Sequence, residues 1–136
     1  MVQILVVDDE PEIRLALSLC LEESGYDVSE ASDGSEVMTA VAVQRPDPIL
    51  LDISMPHMDG FQTLELLKSD AGTRDIPVVM VSARQRSEVQ RDARAHGAVD
   101  FISKPWTDGE LELKTQWALL RGRTGTIPER PALVAM

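Results

Sequence analysis

The sequence predicts an α/β protein, a parallel β-sheet with helices on both of its faces. Three observations carry that expectation. Short apolar stretches alternate with helical stretches five times along the chain, with short connections between them. The runs ILVV, ILL and VVMV do not alternate apolar with polar residues, which is the pattern of strands buried on both sides. With 136 residues, 43% of them hydrophobic and only 4% aromatic, the chain has the size of one compact domain with an aliphatic core.

The elements follow in order. Gln3 to Val7 reads as the first strand. A helix signal comes directly after it: Asp9 as a cap, Pro11 in the first turn, and Glu10 and Glu12 at the positive helix end. Ile13, Leu17, Cys20 and Leu21 recur at helical spacing, and Gly25 supplies the stop. Cys20 on that face reads as a small core residue, and a lone cysteine can form no internal disulfide. YDVSEAS is a second strand, and DGSEVMTAVAVQ a helix with Asp33 near its start. PDPILLDI is the third strand, which must begin at or after Pro48, because proline donates no ladder hydrogen bond. GFQTLELLKSD is a helix, with Gly60 before it read as relief of backbone strain. IPVVMVSA is a strand, SEVQRDARAHG a helix closed by Gly97, VDFISKP a strand, and Thr107 to about Arg121 the last helix. There the apolar residues form two stripes, Leu111 with Ala118 and Leu113 with Trp117 and Leu120, which cannot both face the sheet. The division expected is a folded unit over 1–122 and a flexible tail or linker over 123–136, where Gly, Thr and Pro appear without a period.

A net charge of −10 argues against a broad electrostatic surface for nucleic acid or for an anionic membrane. The N-terminus lacks the basic segment of a signal peptide, and no apolar run approaches the roughly 20 residues needed to span a bilayer. The expected location is the cytoplasm.

In an open parallel sheet, ligands bind outside the carboxyl ends of the strands. Here those ends carry Asp8 and Asp9, Asp52, Ser82 and Lys104. If the strands bearing them are neighbours, the side chains converge on one pocket. Three carboxylates in one place repel one another unless a cation is present or protons are taken up. Mg²⁺ favours oxygen ligands and keeps several waters, which suits two or three acids and a backbone carbonyl. A second positive charge from Lys104 and a hydroxyl from Ser82 would suit a phosphoryl group, and aspartate can form an aspartyl-phosphate.

Asp8-Asp9, Asp52 within LLDISMPHMDG, Ser82-Ala83 in VSA, and FISKP with Lys104-Pro105 together make the chain resemble the receiver domain of bacterial two-component response regulators, in its stand-alone, chemotaxis-regulator-like form. The resemblance runs from Gln3 to about Arg121; each motif alone is weak, and the four in this order are specific. It implies the doubly wound, flavodoxin-like fold with strand order 2-1-3-4-5. It implies that Asp52 accepts a phosphoryl group from a histidine kinase or a histidine phosphotransfer protein. Asp9 would bind Mg²⁺ directly, Asp8 mainly through water, and the Ser54 backbone carbonyl would complete the protein ligands. Ser82 and Lys104 would contact the phosphoryl group, and Phe101 would occupy the aromatic switch position. The output would pass to a downstream effector through helix 4, strand 5 and helix 5, a surface that also admits a homodimer through Trp117. No direct nucleic-acid binding and no membrane insertion are implied. The protein would be a phosphoacceptor rather than an enzyme, catalysing only its own phosphotransfer and slow dephosphorylation. Arg84 and Ser54 stand where the family tunes that lifetime. Phe101 in place of Tyr, and Trp106 in place of Phe after the Lys-Pro pair, are departures.

Plainer readings stand beside these. Asp8 and Asp9 could only cap a helix, Asp52 could sit in a turn, and Lys104 could be a surface lysine, although a cis bond before Pro105 would aim it inward. His57 reads as a solvated loop residue, and His96 as a histidine suited to a helix C-terminus. A Mg²⁺-dependent phosphohydrolase would place its nucleophile after the first strand and needs a cap structure. A receiver-shaped binding module would never be phosphorylated. A piece of a longer regulator is a further alternative.

Overall fold

The computed structural model describes residues 2–83 and 87–124. In chain order the elements are β1 (Gln3–Val7), α1 (Pro11–Glu23), β2 (Asp27–Ala31), a 3₁₀ turn (Gly34–Glu36) running into α2 (Val37–Val43), β3 (Ile49–Asp52), α3 (Gly60–Ser69), β4 (Val78–Ser82), α4 (Ser87–Ala95), β5 (Asp100–Ser103) and α5 (Asp108–Thr124). The strands form one sheet in the order β2-β1-β3-β4-β5, every pair parallel. This is the doubly wound, flavodoxin-like arrangement.

Two apolar layers hold it, one on each face. Side chains along a strand point alternately to opposite sides. Ile4, Val6, Leu50, Val79, Val81 and Ile102 therefore meet Leu17 and Leu21 of α1 and Leu111 and Ala118 of α5. Leu5, Val7, Leu51, Met80 and Phe101 meet α2, α3 and α4 on the other side. Each fully buried Leu or Ile contributes about 1.5–3 kcal/mol relative to an exposed one. That cost of exposure is what makes the strand register specific. The Leu111 and Ala118 stripe is the one that faces the core. Trp117 and Leu113 are half-buried and Leu120 is exposed.

The punctuation matches the expected chemistry with three differences. Gly25 and Gly97 adopt positive φ of 92° and 102°, as helix stops do. β3 starts at Ile49, just past Pro48, whose carbonyl accepts from the Leu5 N–H at 3.2 Å. Asp33 caps the turn before α2, and Asp59 with Gln62 forms a capping box on α3. Asp9, however, does not cap α1. The N-cap is Glu10 without a side-chain bond, and the Glu10 N–H is met by Asp8 Oδ1 at 2.9 Å. Gly60 is needed for space and not for strain relief. A Cβ there would lie 2.3 Å from the Asp52 carbonyl oxygen and 2.7 Å from the Ile53 Cα. Cys20 is half-buried at the margin of the α1–α5 layer rather than fully in it.

Candidate functional site

The carboxyl ends of β1, β3, β4 and β5 are neighbours in the sheet, so the polar residues that close those strands share one rim. Asp52 closes β3 opposite Val81 of β4, which brings Ser82 next to it along the neighbouring strand. Ser82 in turn pairs with Ser103, and the Lys104 N–H donates to the Ser82 carbonyl at 2.9 Å. The backbone ladder thus carries Lys104 to the rim. The Lys104–Pro105 bond is cis.

Lys104 joins acids distant in the chain. Its Nζ donates to Asp8 Oδ2 at 2.7 Å and to Asp52 Oδ1 at 3.2 Å, and stands 4.0 Å from Glu10 Oε1. Asp8 is fully buried, Asp52 is 3% exposed and Ser82 1%. Burial alone pulls the Lys104 pKa down, but its hydrogen bond to Asp8 and the charges of Asp52 and Asp8 outweigh it and leave the pKa raised. Asp52 goes the other way for an acid. Burial first, then the Asp8 charge, push it up to about 6 against the pull of Lys104.

Asp8 and Asp9 are adjacent but not equivalent. Every polar group of Asp8 is engaged. Its N–H donates to the Ala31 carbonyl, its carbonyl accepts from Arg14, and its two carboxylate oxygens accept from Glu10 and Lys104. Asp9 Oδ1, by contrast, is buried with no hydrogen-bond partner. A buried anionic oxygen without a donor is costly unless something positive meets it. Asp8, Asp9 and Glu10 each bring a carboxylate oxygen within 4.8 Å of the others. An all-oxygen set with one orphan is the donor chemistry that Mg²⁺ takes.

Four of the predicted residues, Asp8, Asp52, Ser82 and Lys104, thus lie together on one rim, with Asp9 beside them. Ser54 is exposed in the loop that follows. Phe101 is buried at 2% exposure among the α2–α4 layer, so its ring is already inside. His57 is exposed with φ of 67°, a left-handed conformation in which histidine is enriched, and touches none of the acids within bonding distance among the described contacts. His96 Nδ1 bonds the Asp92 carbonyl at 2.7 Å, and its ring lies tilted at 54° against that of Phe61, with the centroids 5.6 Å apart. Arg84 lies outside the described residues, as does the tail from 125 onward.

Sequence reasoning missed two contributors. Glu10 joins the acid group although it reads as an ordinary first-turn glutamate; the run of three acids was the available signal. Arg14 belongs to no motif of the sequence, and nothing local marks its bond to the Asp8 carbonyl.

The comparisons agree with this architecture. Residues 4–116 match the family described as the response regulator receiver domain. The chain is 37% identical over 122 residues to protein PilH of Pseudomonas aeruginosa, covering 90% of this chain and all of PilH. It is 38% identical over 129 residues to the DNA-binding dual master transcriptional regulator RpaA of Synechocystis sp., covering 95% of this chain and 53% of RpaA, so it spans about half of that relative. The chemotaxis response regulator CheY4 of Vibrio cholerae superposes with a TM-score of 0.81 at 30% identity, over 88% of this chain and 99% of CheY4.

Proposed function

The chain belongs to the response regulator receiver domain family, and on that premise we propose that Asp52 is its phosphoacceptor in two-component signalling. The observation that carries the assignment is the shared Lys104, which holds Asp8 and Asp52 within hydrogen-bond reach of one cation.

The step is a transfer between two acceptors. An Asp52 carboxylate oxygen attacks the phosphorus of a phosphohistidine on a histidine kinase or phosphotransfer protein. A P–O bond forms, the P–N bond breaks, and the electron pair leaves with the imidazole nitrogen. Asp52 must be ionised to attack, and a pKa of about 6 leaves it mostly so at neutral pH. Lys104 neutralises charge on the transferred group, and the Ser82 hydroxyl offers it a hydrogen bond. Asp9, Asp8, Asp52 and the Ser54 carbonyl are the groups we assign to Mg²⁺. When bound, it neutralises phosphoryl charge and helps to orient the oxygens. The orphan oxygen of Asp9 is what favours that assignment.

We assign the output to the α4–β5–α5 surface. Buried Asp100 at the start of β5 lies 3.6 Å from Arg94 of α4 and 3.8 Å from Lys114 of α5, and Lys114 also donates to the Phe101 carbonyl. The residue beside Phe101 is thereby tied to both flanking helices. Because Phe101 is already inside, the switch reading concerns how firmly its ring is held. The half-buried Trp117, with Leu113 and Leu120, supplies apolar area for an effector or a second copy on the outer side of α5. Among the described residues no helix is long and apolar enough to cross a membrane. We read residues 1–122 as the receiver unit, acting in the cytoplasm through protein contacts.

Incubation with acetyl phosphate and Mg²⁺, followed by intact mass measurement, tests the assignment. One phosphate adduct is expected, and none in Asp52→Asn. Turnover of acetyl phosphate without an adduct would instead favour a phosphohydrolase. Sedimentation of the same samples reads the surface: Trp117→Glu should reduce any phosphate-dependent association while the far-UV spectrum stays unchanged.

A further inference from the structure

We propose that Arg14 is a positioning residue for the cation site, a tether that sets the acidic turn after β1 by gripping its backbone. The proposal rests on the Mg²⁺ reading above and extends it to a residue that touches neither cation nor phosphate.

Arg14 lies one turn into α1 and is half-buried. Its guanidinium makes two bonds in different directions. One terminal nitrogen donates to the Asp8 carbonyl at 2.7 Å, and Nε donates to Glu30 Oε1 of β2 at 2.8 Å. Its own N–H donates to the Glu10 carbonyl at 3.0 Å, as the first bond of the helix. Arg14 therefore contacts the backbone on both sides of Asp9. The Asp8 N–H is held from the opposite side by Ala31 of the same β2. Asp8 is thus held by β2 at its N–H and by α1 at its carbonyl, and that carbonyl belongs to the peptide that leads into Asp9. An exposed ion pair alone contributes little. A charged donor on the carbonyl of a fully buried residue is a different matter, because the loss of the donor orphans that carbonyl. Two acceptors in a fixed fork also need a guanidinium, since a lysine ammonium is a single point of charge.

Glu30 gives the tether its direction. With Glu30 paired to Nε, the cation of Arg14 is occupied on the β2 side and its other edge faces a carbonyl rather than a carboxylate. Charge alone and position alone then make opposite predictions. If Arg14 acted only as a nearby positive charge, it would repel Mg²⁺; its removal would tighten binding, and neutralisation of Glu30 would weaken it. As a tether, Arg14 is needed for binding, while Glu30→Gln keeps the acceptor and changes little.

The test is calorimetric titration of the folded full chain with MgCl₂ at a temperature well below the melting transition, where changes in stability do not alter the folded fraction. Arg14→Met should bind Mg²⁺ about tenfold more weakly than the wild type, the usual scale for groups that orient metal ligands. Glu30→Gln should stay within about threefold of the wild type, and Arg14→Lys should fall between Arg14→Met and the wild type. If Arg14→Met does not fold, the Arg14→Lys and Glu30→Gln pair carries the same contrast. An Arg14 variant with unchanged or tighter Mg²⁺ affinity, beside a wild type that binds Mg²⁺ and forms the adduct, overturns the tether alone. A wild type that takes up neither Mg²⁺ nor phosphate overturns the functional reading and the tether with it.

Discussion

The two ends of the sheet both carry aspartates, yet they use them differently. At the amino ends of the strands, Asp47 accepts from the Gln3 N–H at 2.8 Å and Asp27 from the Gln3 side-chain amide at 2.9 Å. Beyond α3, Asp70 accepts from the Gly72 N–H at 2.8 Å. All three are exposed, and each meets a neutral donor. At the carboxyl ends, Asp8 and Asp52 are buried and share one ammonium, and an oxygen of Asp9 has no partner. The residue type is the same, and the surroundings decide the role. An exposed carboxylate with one amide donor finishes a turn or a strand. Buried carboxylates that outnumber their cations hold unbalanced charge, which is the condition for binding a metal or performing chemistry.

That contrast can be broken or sharpened by mutation. The largest effect is expected at the orphan oxygen. Asp9→Asn should weaken Mg²⁺ binding at least about tenfold by calorimetric titration, since it removes a charged ligand that Asp8 cannot replace while held by Lys104. Unchanged affinity would place the cation elsewhere.

A stability effect with a defined sign is expected from Asp52. Its folded-state pKa, about 6, lies above the ordinary 3.8. Its ionisation is therefore harder in the folded chain than in the unfolded one. The associated stability is fully present below about pH 4 and is lost as pH rises through about 6. Asn does not titrate. In metal-free buffer, Asp52→Asn should match the wild type near pH 4 and exceed it by roughly 2–3 kcal/mol at pH 8, by denaturant melts. A difference that stayed flat from pH 4 to 8 would remove buried charge as the cause.

The smallest effect belongs to the other end of the sheet. Asp47→Asn keeps an acceptor for the exposed Gln3 N–H, so it should cost no more than about 0.5 kcal/mol. It should leave Mg²⁺ affinity and the phosphate adduct unchanged. An effect on either would erase the distinction between the two rims.

Much of this molecule is legible in one dimension. The strand and helix order, the stops at Gly25 and Gly97, the start of β3 after Pro48, and the placing of Asp8, Asp9, Asp52, Ser82 and Lys104 at strand ends follow from patterns a few residues long. Burial periodicity and turn chemistry act over that range, so composition reports them directly. The strand order came only from resemblance, because apolar runs say that strands are buried but not which lie side by side. The tertiary structure alone decided that Lys104 lies between Asp8 and Asp52, that Asp9 and not Asp8 keeps a free oxygen, that Arg14 grips the Asp8 carbonyl, and that Gly60 is glycine for want of room beside Asp52. Those facts depend on the register between strands and on the direction of side chains from separate elements. Both are set when the sheet closes its hydrogen bonds and the two apolar layers pack, and neither is written in any single stretch of the chain.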